Sequence, residues 1–300
     1  MVGSAILRKL RATGHTNLLT IEKSAVDLRD QPAVNTFFEH ERPEVVILAA
    51  ARVGGIQANM TAPGMFLYDN LAIQNNVIHA AHLTGVEQLV FLGSSCIYPT
   101  NCPQPMREEY LLTGPLEPTN EGYAIAKIAG MKMVEYYHRQ YGMKGFSLMP
   151  CNIYGTNDSF DLQHSHVLSA LIRRFTDALD DGIERVELWG TGRARREFLH
   201  VDDLADAILM LMKRMPANGG FINVGSGTDI SIRDLALLIA GKVGYAGEIA
   251  WNAEKPDGML LKCLDVSRMR EMGFHPSVTL EDGIEQTITE YRTLKTRNAT

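Results

Sequence analysis

The sequence predicts an α/β fold built on a doubly wound parallel sheet, with a smaller C-terminal α/β lobe. Short runs of consecutive apolar residues recur through the first half of the chain, and runs of this length are typical of strands that helices cover on both faces. Amphipathic stretches of helical length separate these runs, which favours right-handed βαβ units. The apolar runs lie at residues 45–51, 88–93 and 145–149, and the helical stretches lie at residues 32–42, 64–84 and 123–141.

The second half of the chain continues with helices and strands in a less regular order. Helices are predicted at residues 167–180 and 202–215, and strands at residues 186–189 and 221–225. Ser231 and Asp234 have the spacing of a capping box, which predicts the start of another helix. No linker or repeat is visible, so we expect interleaved lobes. The predicted domains are residues 1–155, to which residues from about 196 to 226 return, and residues 156–195 with 227–300.

Charge and cysteine content limit the classes of protein to which the chain can belong. The 29 basic and 35 acidic side chains give a net charge of −6, which argues against nucleic acid or an anionic membrane as the main partner. The longest apolar run, residues 45–51, is far shorter than the roughly 20 residues of a membrane-spanning helix. The four cysteines have no CxxC spacing, which is typical of a reduced, cytoplasmic protein. We predict neither a signal peptide nor a metal site.

The pair Tyr123 and Lys127 is the strongest candidate for catalysis. Residues four apart share a helix face, so the Lys127 ammonium is expected to approach the Tyr123 phenol and lower its pKa from about 10 toward neutrality. The same spacing also occurs where a half-buried tyrosine lies beside a surface lysine. Context favours catalysis, because Ser94 and Cys96 follow an apolar run, and the carboxyl end of a parallel strand faces the ligand crevice. We expect the Ser94 hydroxyl to contact a substrate oxygen that is bound to Tyr123.

Five segments carry a resemblance to a known family. They are Ala-Ala-Ala-Arg-Val-Gly-Gly-Ile at residues 49–56, Leu-Gly-Ser-Ser-Cys-Ile-Tyr-Pro at 92–99, Glu-Pro-Thr-Asn-Glu at 117–121, Arg-Arg-Glu-Phe-Leu-His-Val-Asp-Asp at 195–203 and Lys-Pro-Asp-Gly at 255–258. With the Ser–Tyr–Lys set, they resemble the extended short-chain dehydrogenase/reductases almost from end to end. The resemblance implies a Rossmann-type domain that binds NADPH and a second lobe that binds a GDP-sugar.

The resemblance also implies a two-stage reaction. GDP-4-keto-6-deoxy-D-mannose would be epimerised at C3 and C5, and NADPH would then reduce C4 to give GDP-L-fucose. Cys96 and His166 are implied as the base and acid of epimerisation, and both side-chain types exchange protons near neutral pH. Tyr123, helped by Lys127 and Ser94, is expected to polarise the C4 oxygen and to protonate it during reduction.

Binding residues for both ligands follow from the same resemblance. For the GDP-sugar it points to Arg174, Trp189, Arg196 and Asp257, of which Arg196 suits a diphosphate because a guanidinium grips phosphate oxygens in pairs. The alternatives are core packing for Trp189 and a solvated charge for Arg174. Lys23 is expected near the 2′-phosphate of NADPH. The other expected cofactor contacts are Gly3, Asp27, Leu28, Leu92, Gly93, Ser94, Ser95, Lys127, Pro150, Cys151, Asn152, Ile153 and His166.

The first residues depart from the family pattern. Residues 3–10 resemble the first helix of a dinucleotide-binding unit that is entered without its strand, and only Gly3 remains of the family's three loop glycines. The first strand, which is central in such a sheet, is missing. We therefore expect two exposed strand edges and weak NADPH binding by the chain as written. Unchanged NADPH affinity in a form with a longer N-terminus would contradict this expectation.

Two other functions stay open. One is another nucleotide-sugar epimerase or dehydratase of the same superfamily, but no acid suited to a dehydratase adjoins Ser95 and Cys96, and a simple 4-epimerase has no use for a cysteine–histidine pair. The other is an inactive ligand-sensing or scaffold protein, which the incomplete phosphate loop favours and the Ser–Tyr–Lys–Cys–His set opposes. The resemblance further implies a homodimer, in which the helices at residues 64–84 and 123–141 pair with their copies.

Overall fold

The computed structural model describes residues 1–162, 165–255 and 257–299 of the chain. Its helices are α1 (Val2–Ala12), α2 (Gln31–Glu41), α3 (Ile56–Thr61), α4 (Pro63–Leu83), α5 (Glu121–Tyr141), α6 (Val167–Asp180), α7 (Val201–Arg214), α8 (Ile232–Val243), α9 (Ser267–Glu271) and α10 (Leu280–Ala299). Its strands are β1 (Val45–Leu48), β2 (Gln88–Leu92), β3 (Gly145–Pro150), β4 (Asn152–Tyr154), β5 (Arg185–Trp189), β6 (Arg195–His200), β7 (Asn218–Val224), β8 (Asp229–Ser231), β9 (Glu248–Asn252) and β10 (Leu261–Lys262). In this described part, no helix is both long and apolar enough to cross a membrane.

A four-stranded parallel sheet forms the centre of the molecule. Its order is β1–β2–β3–β7, and every neighbouring pair runs parallel. Parallel neighbours need crossover connections, which α4 supplies between β1 and β2 and α5 supplies between β2 and β3. All of β3 is buried, and so is β2 apart from its first residue, as expected for strands covered on both faces. The predicted α/β fold with a parallel sheet is confirmed.

The first strand of this sheet, β1, differs from the prediction in length and in burial. The apolar run at residues 45–51 forms a strand only at Val45–Leu48, and only Leu48 in it is buried, while Val45 is 43% exposed. Its position explains this, because in the described part of the chain β1 pairs with β2 alone and forms the edge of the sheet. Residues 15–22 form no strand. One of the two expected exposed edges is therefore present, and weak NADPH binding stays a prediction.

The two longest helices, α4 and α5, pack against each other beside the sheet. The Gln74 side chain of α4 donates a buried hydrogen bond from Nε2 to the Ala126 carbonyl of α5, at 2.6 Å. Gly130 permits this close approach, since an added Cβ would lie 2.5 Å from Phe91 Cζ and 2.7 Å from Gln74 Oε1. The packing fixes the start of α5 against the end of β2. The start of α5 and the end of β2 carry most of the predicted catalytic side chains.

Two smaller sheets follow the central one. β6 pairs in parallel with β4 and β10 and antiparallel with β8, and β5 pairs in parallel with β9. β3 ends at Pro150 and β4 begins at Asn152, so the chain leaves the central sheet there. The buried apolar residues form one cluster around the central sheet and a second that includes residues of α6, α8 and α10. Ser231 Oγ accepts from the Asp234 N–H at 3.0 Å, which confirms the predicted start of α8, whereas the domain boundaries stay a prediction.

Candidate active site

The turn after β2 brings a serine and a cysteine to the carboxyl end of the sheet. Gly93 lets this end of β2 lie close to β3, because a Cβ there would overlap the Met149 side chain. Ser94 is extended, and its Oγ accepts from the Cys96 N–H at 3.2 Å, which starts a single 3-10 turn at Ser95–Ile97. The local sequence thus places the Ser94 hydroxyl and Cys96 next to each other, at the edge where parallel sheets bind ligands.

Lys127, the lysine of the predicted pair, lies near the Tyr123 ring but is hydrogen-bonded to the end of β2. Lys127 is 4% exposed, and its Nζ donates to the Leu92 carbonyl at 2.8 Å. The same Nζ lies 5.0 Å from the ring centroid of Phe91 and 5.7 Å from that of Tyr123. Burial lowers the pKa of Lys127 to about 8. Lys127 therefore connects the first turns of α5, which carry Tyr123, to the end of β2.

The Tyr123 phenol is kept in its protonated form. Burial raises its pKa above the ordinary value, a negative charge on Cys96 raises it further, and the Ser94 hydroxyl opposes both effects. The prediction that Lys127 lowers this pKa is wrong for this structure, because the ammonium is bound to the Leu92 carbonyl and burial dominates. A protonated phenol is a hydrogen-bond donor and a proton donor, so Tyr123 is suited to contact a substrate oxygen.

The Cys96 thiol lies between two donors that the sequence did not reveal. Its Sγ accepts from Asn120 Nδ2 at 3.2 Å and from Lys262 Nζ at 3.2 Å. Burial raises the pKa of this thiol, but the Lys262 charge and the hydrogen bonds from Ser94, Lys262 and Asn120 outweigh it, so the net pKa is lowered. Asn120 precedes the Tyr–Lys helix within a segment that carried the family resemblance, and this was a usable signal. Lys262 is 166 residues away and had no local signal.

His166, the predicted partner of Cys96, follows a residue that lies close to Gly55. His166 is the extended residue before α6, and its carbonyl accepts from the Ala170 N–H at 3.0 Å. A Cβ on Gly55 would lie 3.0 Å from the Ser165 carbonyl oxygen, so only a small residue lets the two segments approach this closely. Within residues 1–162, 165–255 and 257–299, no hydrogen bond joins the His166 ring to Cys96 or Tyr123. The assignment of His166 as acid stays a prediction.

Two of the predicted substrate residues lie together near the thiol. Arg196 Nη2 donates to the Asp257 carbonyl at 3.3 Å. Burial lowers the pKa of Arg196, while the charge of Cys96 opposes this, so the guanidinium is within electrostatic reach of the thiol. The Asp257 carboxylate accepts from the Thr191 N–H and from Thr191 Oγ1, both at 2.7 Å. These bonds leave the second lone pairs of both carboxylate oxygens for a ligand.

The other two substrate candidates lie at β5: Trp189 is its last residue, and Arg174 reaches it from α6. Trp189 is 50% exposed, and the ammonium of Lys255 lies 5.4 Å from its ring centroid. Core packing, the alternative for Trp189, is therefore wrong, because half of the side chain is exposed and a ligand can reach it. The half-buried Arg174 donates from Nη1 to the Glu187 carbonyl at 3.5 Å, a long contact that fixes the guanidinium only loosely.

Among the predicted cofactor residues, Asp27 has its carboxylate fully engaged. Arg29 donates to it from Nε at 3.0 Å and from Nη2 at 2.6 Å, and holds the pKa of Asp27 well below its usual range. The Leu28 carbonyl accepts from Asn76 Nδ2 at 3.0 Å, which fastens this segment to α4. Lys23 is exposed four residues earlier. Side-chain hydrogen bonds thus hold this segment in place, and the exposed Lys23 lies beside it.

The remaining cofactor candidates offer mostly backbone groups. Ser95 and Ile153 are buried, at 4% and 8% exposure, and Pro150 is buried in β3. Asn152 Nδ2 donates to the Glu197 carbonyl at 2.8 Å, which leaves its side-chain oxygen as acceptor. Gly3 lies in the first turn of α1, where an added Cβ would find no atom within 4 Å. The surface of α1 at Gly3 is therefore open.

A buried acid next to the site had no predicted role. Glu197 is 1% exposed, and its carboxylate accepts from the Gly227 N–H at 2.6 Å and from the Leu264 N–H at 2.8 Å. Burial raises its pKa to about 7, although these backbone hydrogen bonds work in the opposite direction. The residue lies within a segment that carried the resemblance. Its contacts connect β6 to the residue that follows Cys263, and so support the strand that carries Lys262.

Known proteins resemble the chain over nearly its whole length. Residues 1–225 match the model of the NAD dependent epimerase/dehydratase family. The chain is 52% identical to GDP-L-fucose synthase 1 of Arabidopsis thaliana over 291 residues, which cover 97% of this chain and 90% of that protein. It is 48% identical to GDP-L-fucose synthase of Escherichia coli (strain K12) over 295 residues, with 96% and 92% covered. The solved structure of a GDP-mannoheptose C4 reductase from Campylobacter jejuni with NADP bound superposes with a TM-score of 0.88 at 37% identity, covering 97% and 95%.

Proposed function

The chain belongs to the NAD dependent epimerase/dehydratase family, and on that premise we propose that it converts GDP-4-keto-6-deoxy-D-mannose to GDP-L-fucose. The reaction is epimerisation at C3 and C5 followed by NADPH-dependent reduction at C4. The names of the two relatives support this product, and the NADP-bound reductase supports the cofactor. The observation that carries the proposal is the position of the Cys96 thiol, which lies near the Tyr123 phenol and accepts hydrogen bonds from Asn120 Nδ2 and Lys262 Nζ. These surroundings lower the pKa of the thiol, whereas the pKa of the phenol is raised.

Epimerisation requires a base that begins without a proton. The C4 ketone acidifies the C–H groups at C3 and C5, and the Cys96 thiolate accepts each proton in turn. The electron pair of the broken C–H bond moves to the C4 oxygen, where the Tyr123 phenol donates a hydrogen bond to the resulting enolate. His166 returns a proton to the opposite face and so inverts the carbon. Exchange with solvent then removes the proton from Cys96 and restores that of His166 before the second carbon reacts. In this scheme the phenol must stay protonated while the thiol is ionised, and the raised pKa of Tyr123 and the lowered pKa of Cys96 both favour this.

Reduction uses the same tyrosine as an acid. NADPH, when bound, supplies the hydride to C4. Tyr123 gives its proton to the C4 oxygen, and the Ser94 hydroxyl stabilises the phenolate that remains. Because Lys127 is bound to the Leu92 carbonyl, it holds the start of α5, which carries Tyr123, against the end of β2.

The described residues fit both ligands. The first turn of α1 begins at Val2 without a side-chain cap and faces open space at Gly3, so its backbone N–H groups suit a pyrophosphate. Exposed Lys23 suits the 2′-phosphate. We assign Asp27 and Leu28 to the adenosine end, and Leu92, Ser95, Pro150, Asn152 and Ile153 to the nicotinamide end. The GDP-sugar is assigned to Arg196 for the diphosphate and to Asp257, Trp189 and Arg174 for the remainder.

The proposal extends to a cytoplasmic homodimer that pairs α4 and α5 with their copies. Large side chains on these helices are exposed, among them Tyr68 at 68%, Tyr136 at 50% and Tyr141 at 50%. Rings of this size bury much apolar area when they are covered. The four free cysteines are consistent with a reducing compartment.

Isotope exchange separates the two stages. With NADP in place of NADPH, the enzyme in D₂O should introduce deuterium at C3 and C5 of the substrate, and Cys96→Ser should abolish this exchange. With NADPH, Tyr123→Phe should lose reduction at C4. Asp206→Asn, on the surface of α7, is the matched control and should leave both rates unchanged. Reduction without any exchange in the unmodified protein would leave another nucleotide-sugar reductase as the function, and neither activity would leave a ligand-sensing protein.

A further inference from the structure

Lys262 contacts the candidate base directly, and no motif in the sequence gives it a role. Its Nζ lies 3.2 Å from Cys96 Sγ. We propose that Lys262 is a positioning residue that keeps Cys96 ionised before the substrate arrives, and that it thereby serves the epimerisation stage and not the reduction stage. This inference rests on the proposed role of Cys96 as the base.

The backbone around Lys262 is held from several sides. β10 pairs in parallel with β6, and Lys262 lies opposite Arg196 in that register. The next residue, Cys263, donates its N–H to Gln104 Oε1 at 3.0 Å, and its carbonyl accepts from the Met106 N–H at 2.8 Å. A lysine side chain loses rotamer freedom when it is held in one place. Because the backbone of Lys262 is already fixed, only the conformational freedom of its side chain is lost when the ammonium stays in contact with the Cys96 sulfur.

The groups that face Cys96 leave Lys262 as its contacting cation. Arg196 on β6 is the second cation within electrostatic reach, but its guanidinium donates to the Arg195 and Asp257 carbonyls. The Tyr123 phenol on α5 is protonated and carries no charge, although a phenolate there would repel a thiolate. The Asn120 amide, just before α5, is also neutral. The neutral Ser94 hydroxyl completes the set. Among these described neighbours, the charge that offsets the burial of the thiolate comes chiefly from Lys262.

The proton balance explains why this matters for one stage alone. A free cysteine has a pKa near 8.5, so only a few per cent of it is ionised at neutral pH. With Lys262 present, a larger fraction of the thiol has already released its proton to solvent, and the ionised Cys96 sulfur can take the proton from C3 or C5 while the C–H electron pair moves into the enolate. Reduction consumes a hydride from NADPH and a proton from Tyr123, and neither passes through Cys96.

Alkylation of the full-length protein tests the contact without turnover. The rate at which iodoacetamide modifies Cys96 reports the thiolate fraction, and the Cys96→Ser variant supplies the background from the other three cysteines. In the unmodified protein the midpoint of the pH profile should lie below 8.5. Lys262→Met keeps the length of the side chain and removes its charge. It should raise the midpoint of the profile by about one pH unit or more, and one pH unit corresponds to a tenfold change in the ionisation of the thiol. Lys262→Arg should restore it, and Lys242→Met, a surface control on α8, should have no effect.

Exchange of C3 and C5 protons links the contact to the reaction. At neutral pH, Lys262→Met should slow deuterium incorporation by about tenfold or more, and raising the pH to about 9 should recover most of the rate. An unchanged alkylation midpoint in Lys262→Met would overturn the proposal, and so would a loss of exchange that is equal at every pH, since that would make Lys262 a substrate contact. If Cys96→Ser leaves exchange intact, the proposed role of Cys96 fails, whereas a shifted midpoint would still establish the Lys262 contact.

Discussion

Replacing Glu197 with glutamine should change how the stability of the fold depends on pH. The carboxyl is 1% exposed, and burial raises its pKa from an ordinary 4.5 to about 7. The folded chain therefore keeps the Glu197 proton between these two pH values, while the unfolded chain has already released it. Stability then falls as the pH rises through this window and levels off above about pH 7.

The magnitude follows from the same two values. One pH unit of difference between folded and unfolded pKa corresponds to about 1.4 kcal/mol, so the rise to about 7 corresponds to a loss of about 3 kcal/mol between pH 4.5 and pH 8. Glutamine cannot titrate, and so it removes this loss. It also places an NH₂ group where a carboxylate oxygen now accepts from a backbone N–H, which should cost about 1–3 kcal/mol at every pH.

Urea unfolding at several pH values measures the difference between the two proteins. The free energy of unfolding of Glu197→Gln minus that of the unmodified chain should increase by about 3 kcal/mol from about pH 5 to pH 8. Taking this difference cancels the groups that titrate in both proteins. Glu271→Gln, on the exposed face of α9, should give a difference that does not vary with pH. A difference for Glu197→Gln that is equally flat would refute the reasoning from burial.

Three further substitutions test single contacts. Tyr123→Phe should reduce NADPH oxidation by about 100-fold or more, since it removes the general acid, while thermal unfolding stays close to that of the unmodified protein; an unaffected rate would exclude Tyr123 as the acid. Arg196→Ala should raise the KM for the GDP-sugar roughly tenfold to hundredfold, because a charge-assisted hydrogen bond to phosphate is lost, and an unchanged KM would place the diphosphate elsewhere. Gly93→Ala should destabilise the fold by about 1–3 kcal/mol, as the added Cβ overlaps the Met149 side chain, and a urea midpoint at the original value would contradict this packing.

Local patterns predicted the elements whose causes are local. The Ser231–Asp234 cap and the start of α6 at Val167 lie where the side-chain spacing predicted them. β1 was predicted as a strand buried on both faces, because the run at residues 45–51 is apolar without a break. Burial of a strand depends on its neighbours, however, and β1 has a described partner on one side only. An apolar run cannot reveal whether it will lie at an edge.

The same distinction separates the predicted from the unpredicted parts of the site. Ser94, Cys96, Tyr123 and Lys127 belong to short motifs, and the structure brings them together. The pKa prediction for Tyr123 failed because a four-residue spacing does not show that a carbonyl on another element, that of Leu92, engages the ammonium. Lys262 reaches the thiol through strand pairing between distant segments, which no local spacing encodes.

The Ser94 side chain carries a single hydroxyl hydrogen, yet both acids of the site use it. While that hydrogen supports the ionised sulfur, the neighbouring ring has no second donor from this residue and must hold on to its own proton. Once the sulfur has taken a proton from the sugar, the hydrogen can turn to the oxygen that the tyrosine leaves behind. The two halves of the reaction, carbon inversion and ketone reduction, would thus draw in turn on one hydroxyl hydrogen.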